Sequence, residues 1–335
     1  MADSVTYDIA AVVPGVGVFG GVRRFIEIGN ELVRRGHRYT LYHPGGAAPE
    51  WLPFAGQTRA LDALAGARHQ VLLCNDPPLY ARVKDTPADL KLFYFVLEGI
   101  PDERRIVRGG WTLLANSEGM HRYLRRRYGA NAHRVVGGID PDTFQPRAIA
   151  RDDNEVRILA YGRASRRRKG LGLVVRAVES FARRAGGRLV RLVLFDHVGP
   201  GNERDPRDGF HCRAPHEWHL NLAQADLARL YASCDVFVSA EKRAGWANTV
   251  AEAMACGAPV VCTRSGARDL ARHHETAWVV PLRHPFFLRR GLEALTSDAA
   301  LAARLREAAL AHVRGYAWPR VVDQLLAVIA SQRLS

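Results

Sequence analysis

The sequence has no uninterrupted run of about 18 apolar residues, the minimum for a helix that crosses a membrane. It has only five cysteines, scattered and with no C-x-x-C pair. This pattern argues against a disulfide framework and predicts reduced thiols in a cytoplasmic protein. The N-terminal residues lack a basic group ahead of their apolar residues, so we expect them to form a first strand rather than a signal peptide. The chain also has no short-period repeats and no low-complexity segments.

The composition is that of a soluble globular protein, with 47% apolar and 24% charged residues in a chain of 335. This length suits two domains rather than one. The formal net charge is +14, and most of the basic residues are arginine. Such a balance suits an anionic partner, such as a nucleotide, a phospholipid surface or a nucleic acid. A GC-rich coding sequence also enriches arginine without any ligand.

Strand-like and helix-like runs alternate along the whole chain, which predicts an α/β fold with parallel sheets. The linker-like segment 137–155 separates two such series, so we expect two Rossmann-like doubly wound domains facing across a cleft. The predicted strands are 7–13, 38–43, 71–74, 92–96, 111–115, 134–136, 157–161, 190–195, 236–239 and 260–262.

The most informative segment spans residues 243–261, which predict a loop with Gly245, a helix beginning near Asn248, and a buried strand. The free N–H groups and the positive dipole end of such a helix favour an anion near Asn248 and Thr249. Glu252, one turn later, can accept hydrogen bonds from a vicinal diol such as a ribose. A phosphate and a ribose together indicate a nucleotide. The alternative role of Glu252 is that of a surface acid near a helix dipole.

Two further turns follow predicted strands. The glycine-rich turn 14–21 ends in Gly20 and Gly21, which allow close approach of the backbone to a phosphate or sugar. The basic turn 161–170 contains Arg163, Arg168 and Lys169, whose charges suit a diphosphate. Their alternatives are a plain strand-to-helix turn and a solvated basic loop.

These segments resemble the retaining family 4 (group 1) glycosyltransferases. The family signature Glu-Gly-Phe-Gly-x-x-x-x-Glu-Ala-Met-Ala-x-Gly-x-Pro-Val-Val is similar to residues 244–261, and its Gly-Arg-x(4)-Lys-Gly element is similar to 162–170, with one extra residue. Softer resemblances follow in order, at residues 20–37, 116–118 and 138–146. The resemblance therefore covers nearly the whole chain.

The resemblance implies the GT-B fold, with residues 1–145 binding the acceptor and 146–316 binding the nucleotide-sugar donor. The C-terminal helix, 317–335, would cross back to the N-terminal domain. The implied activity moves a sugar from a nucleoside-diphosphate donor, UDP or GDP, to a hydroxyl of a glycan, glycolipid or small molecule. It needs no cofactor and no metal, because Arg163, Lys169 and the helix start carry the leaving-group charge.

The sequence departs from the family at two places. Ala244 stands where the family has its first Glu, although Glu241, three residues earlier, could replace it. The expected His at a strand end of the first domain is also missing. Asp76 and Glu98 are the nearest polar candidates for a catalytic role, and the alternative for each is a cap of a helix or loop. A nucleotide-sugar-binding protein without transfer activity, or an epimerase of the same fold, is therefore an alternative function.

Two other clusters call for interpretation. The group His211, Cys212, His216 and His219 has no zinc-site spacing, so we predict no metal. The basic helix 121–128 has two interpretations. Its arginines either form a solvated face of a packed helix or make peripheral contact with an anionic inner-membrane surface. No nucleic-acid-binding motif is present, so no nucleic-acid partner is expected.

Overall fold

The structure, a computed structural model, describes residues 6–199 and 203–333. The chain divides into two compact units, Met1–Gly138 with Trp318–Ser335, and Ile139–Ala317. We call them the first and second units.

The N-terminal part of the first unit alternates strands and helices, as its hydrophobic pattern predicts. Its elements are β1 (Asp8–Val12), α1 (Gly20–Arg34), β2 (Arg38–His43), β3 (Gln57–Ala60), β4 (His69–Cys74), α2 (Pro77–Val83), β5 (Ala88–Phe95), α3 (Glu103–Val107), β6 (Thr112–Ala115), α4 (Glu118–Tyr128) and β7 (His133–Arg134).

The second unit repeats this alternation, and the chain then ends in a helix that belongs to the first unit. The elements are β8 (Glu155–Tyr161), α5 (Leu171–Ala182), β9 (Leu189–Asp196), β10 (His216–Leu220), α6 (Gln224–Ser233), β11 (Val236–Ser239), α7 (Asn248–Ala255), β12 (Val260–Cys262), β13 (Trp278–Val279), α8 (Pro285–Ser297), α9 (Ala299–Val313) and α10 (Trp318–Arg333).

Each unit contains one parallel sheet with helices between its strands. In the described residues, the first sheet has the order β3-β2-β1-β4-β5-β6-β7 and the second β10-β9-β8-β11-β12-β13. The strand order reverses direction between β1 and β4 in one sheet and between β8 and β11 in the other. These are topological switch points, where open parallel sheets bind ligands at the carboxyl ends of their strands.

The structure contains strands that the hydrophobic pattern does not predict. β3 lies at an edge of the first sheet and is mostly exposed, so it lacks the apolar residues that identify a buried strand. β10 lies at an edge of the second sheet, and in its sequence, His-Glu-Trp-His-Leu, the first residue is exposed and the other four are half-buried. In the described sheets, β3 pairs with β2 and β10 pairs with β9 through backbone hydrogen bonds. Apolar periodicity does not reveal strands that are held in place by backbone pairing at an edge.

The C-terminal helix α10 completes the core of the first unit. Val321, Val322, Leu325 and Ile329 are fully buried and belong to the same apolar cluster as β1 and α1. The Trp318 ring lies against Gly138, where an added Cβ would come within 2.3 Å of the ring. Only glycine therefore allows the indole to pack at this point of the chain.

The cysteines have the reduced state that their spacing predicts. All five are free, and Cys74, Cys234, Cys256 and Cys262 are buried. Burial raises the pKa of Cys74, Cys234 and Cys262 to about 12, which keeps these thiols protonated and unreactive. Over the described residues, no helix has both the length and the apolar character that a membrane span requires.

We predict that Leu325→Ala lowers the free energy of unfolding by about 2–5 kcal/mol, because it leaves a cavity in a fully packed core. Arg320→Ala, on the exposed side of the same helix, is the matched control and should change it by less than about 0.5 kcal/mol. Urea denaturation followed by circular dichroism measures both. Equal effects of the two substitutions would show that α10 does not contribute to the core.

Candidate functional site

Two loops meet at the switch point of the second sheet. One loop leaves β8 after Tyr161 and the other leaves β11 after Ser239, and these two strands are neighbours in the sheet. Because both strands are parallel, their carboxyl ends lie at the same edge. The basic turn and the loop before α7, which are 70 or more residues apart in sequence, are thereby brought together.

An ion pair joins the two loops. Lys169 Nζ lies 2.7 Å from Glu241 Oε1, and Arg168 approaches the same oxygen at 3.4 Å. The Glu241 carboxylate is almost fully buried, whereas about a fifth of the Lys169 side chain remains exposed. Tyr161, Lys169, Ser239, Glu241 and Thr249 line one small recess. The structure thus places Lys169, Arg168 and Thr249 together, and adds Glu241.

The backbone around Gly170 fixes the position of Lys169. Gly170 has a φ of +77°, and a Cβ there would lie 2.4 Å from the carbonyl oxygen of Ala240. Arg283 ties the same two loops together, since its guanidinium donates to the carbonyl oxygens of Ala240 (2.6 Å) and Arg167 (3.1 Å). The basic turn is therefore held tightly against the strand that precedes Glu241.

Helix α7 begins at Asn248, as its sequence predicts, and no side chain caps its N-terminus. The first N–H groups of a helix have no partner inside it, so they can face an anion. The loop before it is fixed from outside: Ala244 N donates to Ser265 Oγ and Ala247 N to the carbonyl of Gly266, each at 2.9 Å. A Cβ on Gly266 would lie 2.7 Å from the Ala244 Cβ.

Glu252 is buried on α7, with 4% of its surface exposed, and its Oε2 accepts a hydrogen bond of 2.9 Å from the Tyr231 hydroxyl. It is not the exposed dipole-complementing acid that the alternative interpretation would require. Its predicted contact with a ribose remains a prediction.

Arg163 has a different environment from the one its motif predicts. The residue is 2% exposed, and its Nε donates to Asp196 Oδ2 at 2.5 Å. Its other two nitrogens donate to the carbonyl oxygens of Arg204 and His197, at 3.1 and 2.8 Å. We therefore revise its expected role from direct phosphate contact to positioning of the loop after β9. Its partner, Asp196, is an acid at the end of a buried strand, and the motif around Arg163 does not predict this pairing.

The residues predicted in the first unit lie near the carboxyl edge of its sheet. Gly20 and Gly21 open α1, and a Cβ on Gly21 would contact the Asn75 amide at 3.7 Å. Asp76 caps α2, since its Oδ1 accepts a bond of 3.0 Å from Leu79 N. This is the alternative role, and it leaves the catalytic assignment of Asp76 without support. Glu98 is half-buried in the loop after β5.

Two members of the predicted histidine cluster have hydrogen-bond partners within the second unit. His216 and His219 lie on β10, where His219 Nε2 is 3.0 Å from Glu217 Oε1 and His216 Nδ1 is 3.0 Å from the Ala214 carbonyl. Glu217 also pairs with Arg157 at 2.5 Å. No group of three or more metal-ligating side chains is present in the part of the chain that the structure describes.

Comparison with known proteins finds a family match within the second unit. Residues 155–298 match the sequence model of the family described as Glycosyl transferases group 1. This stretch contains the Lys169–Glu241 pair, Thr249 and Glu252. This segment of the chain is therefore similar to a group 1 glycosyltransferase domain. The resemblance of residues 162–170 and 244–261 to that family is thereby confirmed at the level of the family.

Curated proteins that are similar to this chain are glycosyltransferases by name. D-inositol 3-phosphate glycosyltransferase 1 of Catenulispora acidiphila is 27% identical over 250 residues, which cover 69% of this chain and 60% of the relative. A GDP-mannose-dependent alpha-mannosyltransferase of Mycobacterium tuberculosis is 36% identical over 102 residues, 30% of this chain and 26% of the relative. The chain spans 55 to 60% of the length of the first relatives it matches.

Solved structures confirm the fold. A sucrose-phosphate synthase from Thermosynechococcus elongatus matches with a TM-score of 0.79 and 16% identity, over 97% of this chain and 99% of the other. HepE of Anabaena, solved with UDP and glucose, matches with a TM-score of 0.77 and 15% identity, over 97% and 100%. The neighbours are GT-B glycosyltransferases, and the two predicted Rossmann-like domains are confirmed.

We predict that Asp196→Asn lowers the free energy of unfolding by about 3–5 kcal/mol, because it leaves the Arg163 charge buried without its counter-ion. Asp226→Asn removes an exposed acid that pairs with Arg229 and should cost less than about 1 kcal/mol. Urea denaturation of the two variants provides the comparison. If Asp196→Asn is no more destabilising than this control, the ion pair is not the anchor of the loop.

Proposed function

We propose that this protein is a retaining glycosyltransferase that moves a sugar from a nucleoside-diphosphate donor to an acceptor hydroxyl. The observation that carries the proposal is the recess of Lys169, Glu241 and Thr249 at the switch point of a group 1 glycosyltransferase domain. Open α/β sheets bind nucleotides at this point, and the charge there suits a diphosphate.

The leaving diphosphate would be stabilised by charges that are already in place. Lys169 supplies one cation, which is positioned by Glu241 and by the backbone at Gly170. Arg168 supplies a second cation beside it. The N–H groups at the start of α7, at Asn248 and Thr249, add hydrogen-bond donors and a positive dipole end. Groups that are oriented before the reaction stabilise developing charge without reorganisation, which is the largest single contribution in many enzymes. No metal is needed for this arrangement.

Lys169 would gain a second partner when the donor binds. With no diphosphate present, its charge is balanced by Glu241 at 2.7 Å. A phosphate oxygen that enters the recess could share the ammonium, because the Lys169 nitrogen has three N–H donors. Glu241 would then hold the ammonium from behind and keep it directed at the phosphate.

Donor recognition would be divided between Glu252 and the loop before α7. Glu252 would bind the ribose diol, with Tyr231 fixing one of its oxygens from below. Counting back from Glu252, the family's first Glu is expected eight residues earlier, at Ala244, whereas Glu241 lies eleven residues earlier. Lys242 and Arg243 are exposed in the extra length. We infer that this loop determines which sugar is accepted.

The acceptor would bind to the first unit. At the carboxyl edge of its sheet, Asn75 and Asn116 each have a buried amide oxygen with no hydrogen-bond partner within the described residues. Buried amide oxygens are costly to leave unpaired, so a ligand hydroxyl that donates to them would be favoured. Both follow strand ends, and Gly21 lies beside Asn75.

A retaining mechanism is compatible with the missing histidine. In a reaction on one face of the sugar, an oxygen of the departing diphosphate can accept the proton of the acceptor hydroxyl. An enzyme that inverts the configuration needs a positioned base instead. In the described structure Asp76 is engaged as a helix cap, which weakens its claim to that role.

The second candidate is a protein that binds nucleotide sugars without transferring them. The burial of Arg163 favours it, since this guanidinium is committed to Asp196, His197 and Arg204 instead of facing a phosphate. An epimerase of the same fold would share the donor site, but it would need no acceptor.

The test is a thermal-shift panel of UDP-, GDP- and dTDP-sugars, followed by an assay for diphosphate release with each donor that binds. We expect one nucleotide series to raise the melting temperature, because a ligand that binds the native state stabilises it. We then expect transfer of the intact sugar to an acceptor hydroxyl. Stabilisation without release of diphosphate for any acceptor would favour the binding protein. No stabilisation by any nucleotide sugar would contradict the proposal.

A further inference from the structure

A second basic site lies in the first unit, on elements that do not form the recess of Lys169, Glu241 and Thr249, which we call the donor recess. A surface pocket of about 650 Å³ is formed by the loop after β5, by α3 and by the last turns of α4. We call it the arginine pocket. Its lining includes four arginines and two tyrosines, namely Arg104, Arg105, Arg108, Arg127, Tyr123 and Tyr128.

The charge of the arginine pocket is not balanced by the protein. Its four guanidinium groups are exposed, and in the described part of the chain none of them forms an ion pair with an acid. The lining contains two acids, Asp102 and Glu103, so the net charge of the wall is positive. Unpaired arginines that converge on a concavity attract anions, since the guanidinium fork matches the oxygens of a phosphate.

Glu103 is built into the wall instead of neutralising it. Only 6% of this residue is exposed. Its Oε2 accepts hydrogen bonds from the hydroxyls of Tyr123 and Tyr128, each at 2.6 Å, and its Oε1 accepts one from Gly99 N at 3.0 Å. A buried carboxylate with three donors has a structural role, because it fixes both tyrosine rings and the loop after β5.

The two tyrosines give the pocket an aromatic wall. Their rings meet edge to face with centroids 6.4 Å apart. Burial and its hydrogen bond to Glu103 raise the pKa of Tyr123. The separate hydrogen bond from Tyr128 to Glu103 raises the pKa of Tyr128, so both hydroxyls stay protonated. Aromatic faces beside polar groups suit the C–H surface of a polyol or sugar ring, whereas a bare inorganic anion would not use them.

We propose that the arginine pocket binds the phosphate group of a phosphorylated sugar or polyol, either as a free metabolite or as the headgroup of a phosphorylated lipid. The arginines hold the phosphate, and Tyr123 and Tyr128 contact the ring that carries it. The proposal does not depend on transferase activity, because its site and the donor recess share no residue. Binding at this pocket should also weaken as salt is added, since exposed charges are screened.

The experiment compares two variants that lose the same charge. Arg105→Gln with Arg127→Gln removes one guanidinium from α3 and one from α4, while Arg183→Gln with Arg188→Gln removes two exposed arginines from the second unit. Isothermal titration uses glucose 6-phosphate as the probe and glucose as its uncharged match. Sedimentation uses phosphatidylcholine vesicles with and without phosphatidic acid. The melting temperature of each variant establishes that it is folded.

We expect the wild-type protein to bind glucose 6-phosphate, or the vesicles with phosphatidic acid, and not to bind glucose or phosphatidylcholine alone. The pocket variant should weaken that binding roughly tenfold or more, since each lost guanidinium–phosphate contact is charge-assisted. The control variant and Lys169→Ala should leave it unchanged, which separates this pocket from the donor recess. Binding to the vesicles alone assigns the phosphate to a lipid, and binding to the sugar phosphate assigns it to a metabolite.

Two results would overturn the proposal. One is the absence of binding to either phosphate probe by the folded wild-type protein. The other is equal weakening by the pocket variant and the control variant, which would reduce the effect to net charge. If no nucleotide sugar stabilises the protein but a phosphate probe still binds to the arginine pocket, the proposed function is contradicted and the assignment of the arginine pocket is not.

Discussion

The ion pair between Lys169 and Glu241 is the interaction on which the candidate site depends. It joins the loop after β8 to the loop after β11 at the point where the strand order of the second sheet reverses. Gly170 and Arg283 hold the backbones of these loops together, and Glu241 orients the ammonium through the ion pair. A cation that is positioned in this way can stabilise a leaving diphosphate without the cost of ordering a flexible side chain.

Much of this arrangement could be predicted from the sequence. Alternating apolar runs predict the parallel sheets, and the sequence of residues 243–261 predicts that α7 begins near Asn248. The location of Lys169 follows from its place after a buried strand, since such turns lie at the carboxyl edge of a sheet. The edge strands β3 and β10 could not be predicted, because their exposed or half-buried residues lack an apolar pattern.

Side-chain partners are harder to predict than the backbone positions they start from. Arg163 and Lys169 belong to one motif, yet Arg163 points into the protein toward Asp196, and Lys169 remains in the recess. The difference arises from an acid on β9, 33 residues away in sequence, which no local pattern reports. Likewise, the position of Glu241 depends on the loop that follows it, residues 242–244. The path of that loop depends on contacts with Ser265 and Gly266.

The basic residues of the chain therefore fall into groups with different roles. Arg163 is internal and pairs with Asp196, whereas Lys169 lines the recess of the second unit and Arg168 lies beside it at Glu241. The arginines of α3 and α4 surround a separate pocket in the first unit. A coding bias toward arginine would account for their number, but it would not explain why four of them line one pocket beside a buried Glu103 and two fixed tyrosines.

The central claim is that Lys169 stabilises the leaving diphosphate, and the turnover of Lys169→Ala tests it most directly. With the donor that the thermal panel selects, we expect kcat to fall by roughly two to three powers of ten, the loss typical of removing one preorganised group that stabilises transition-state charge. Arg183→Ala, an equal loss of charge at an exposed position of the same unit, should leave kcat unchanged. A rate for Lys169→Ala close to that of the wild-type protein would contradict the account.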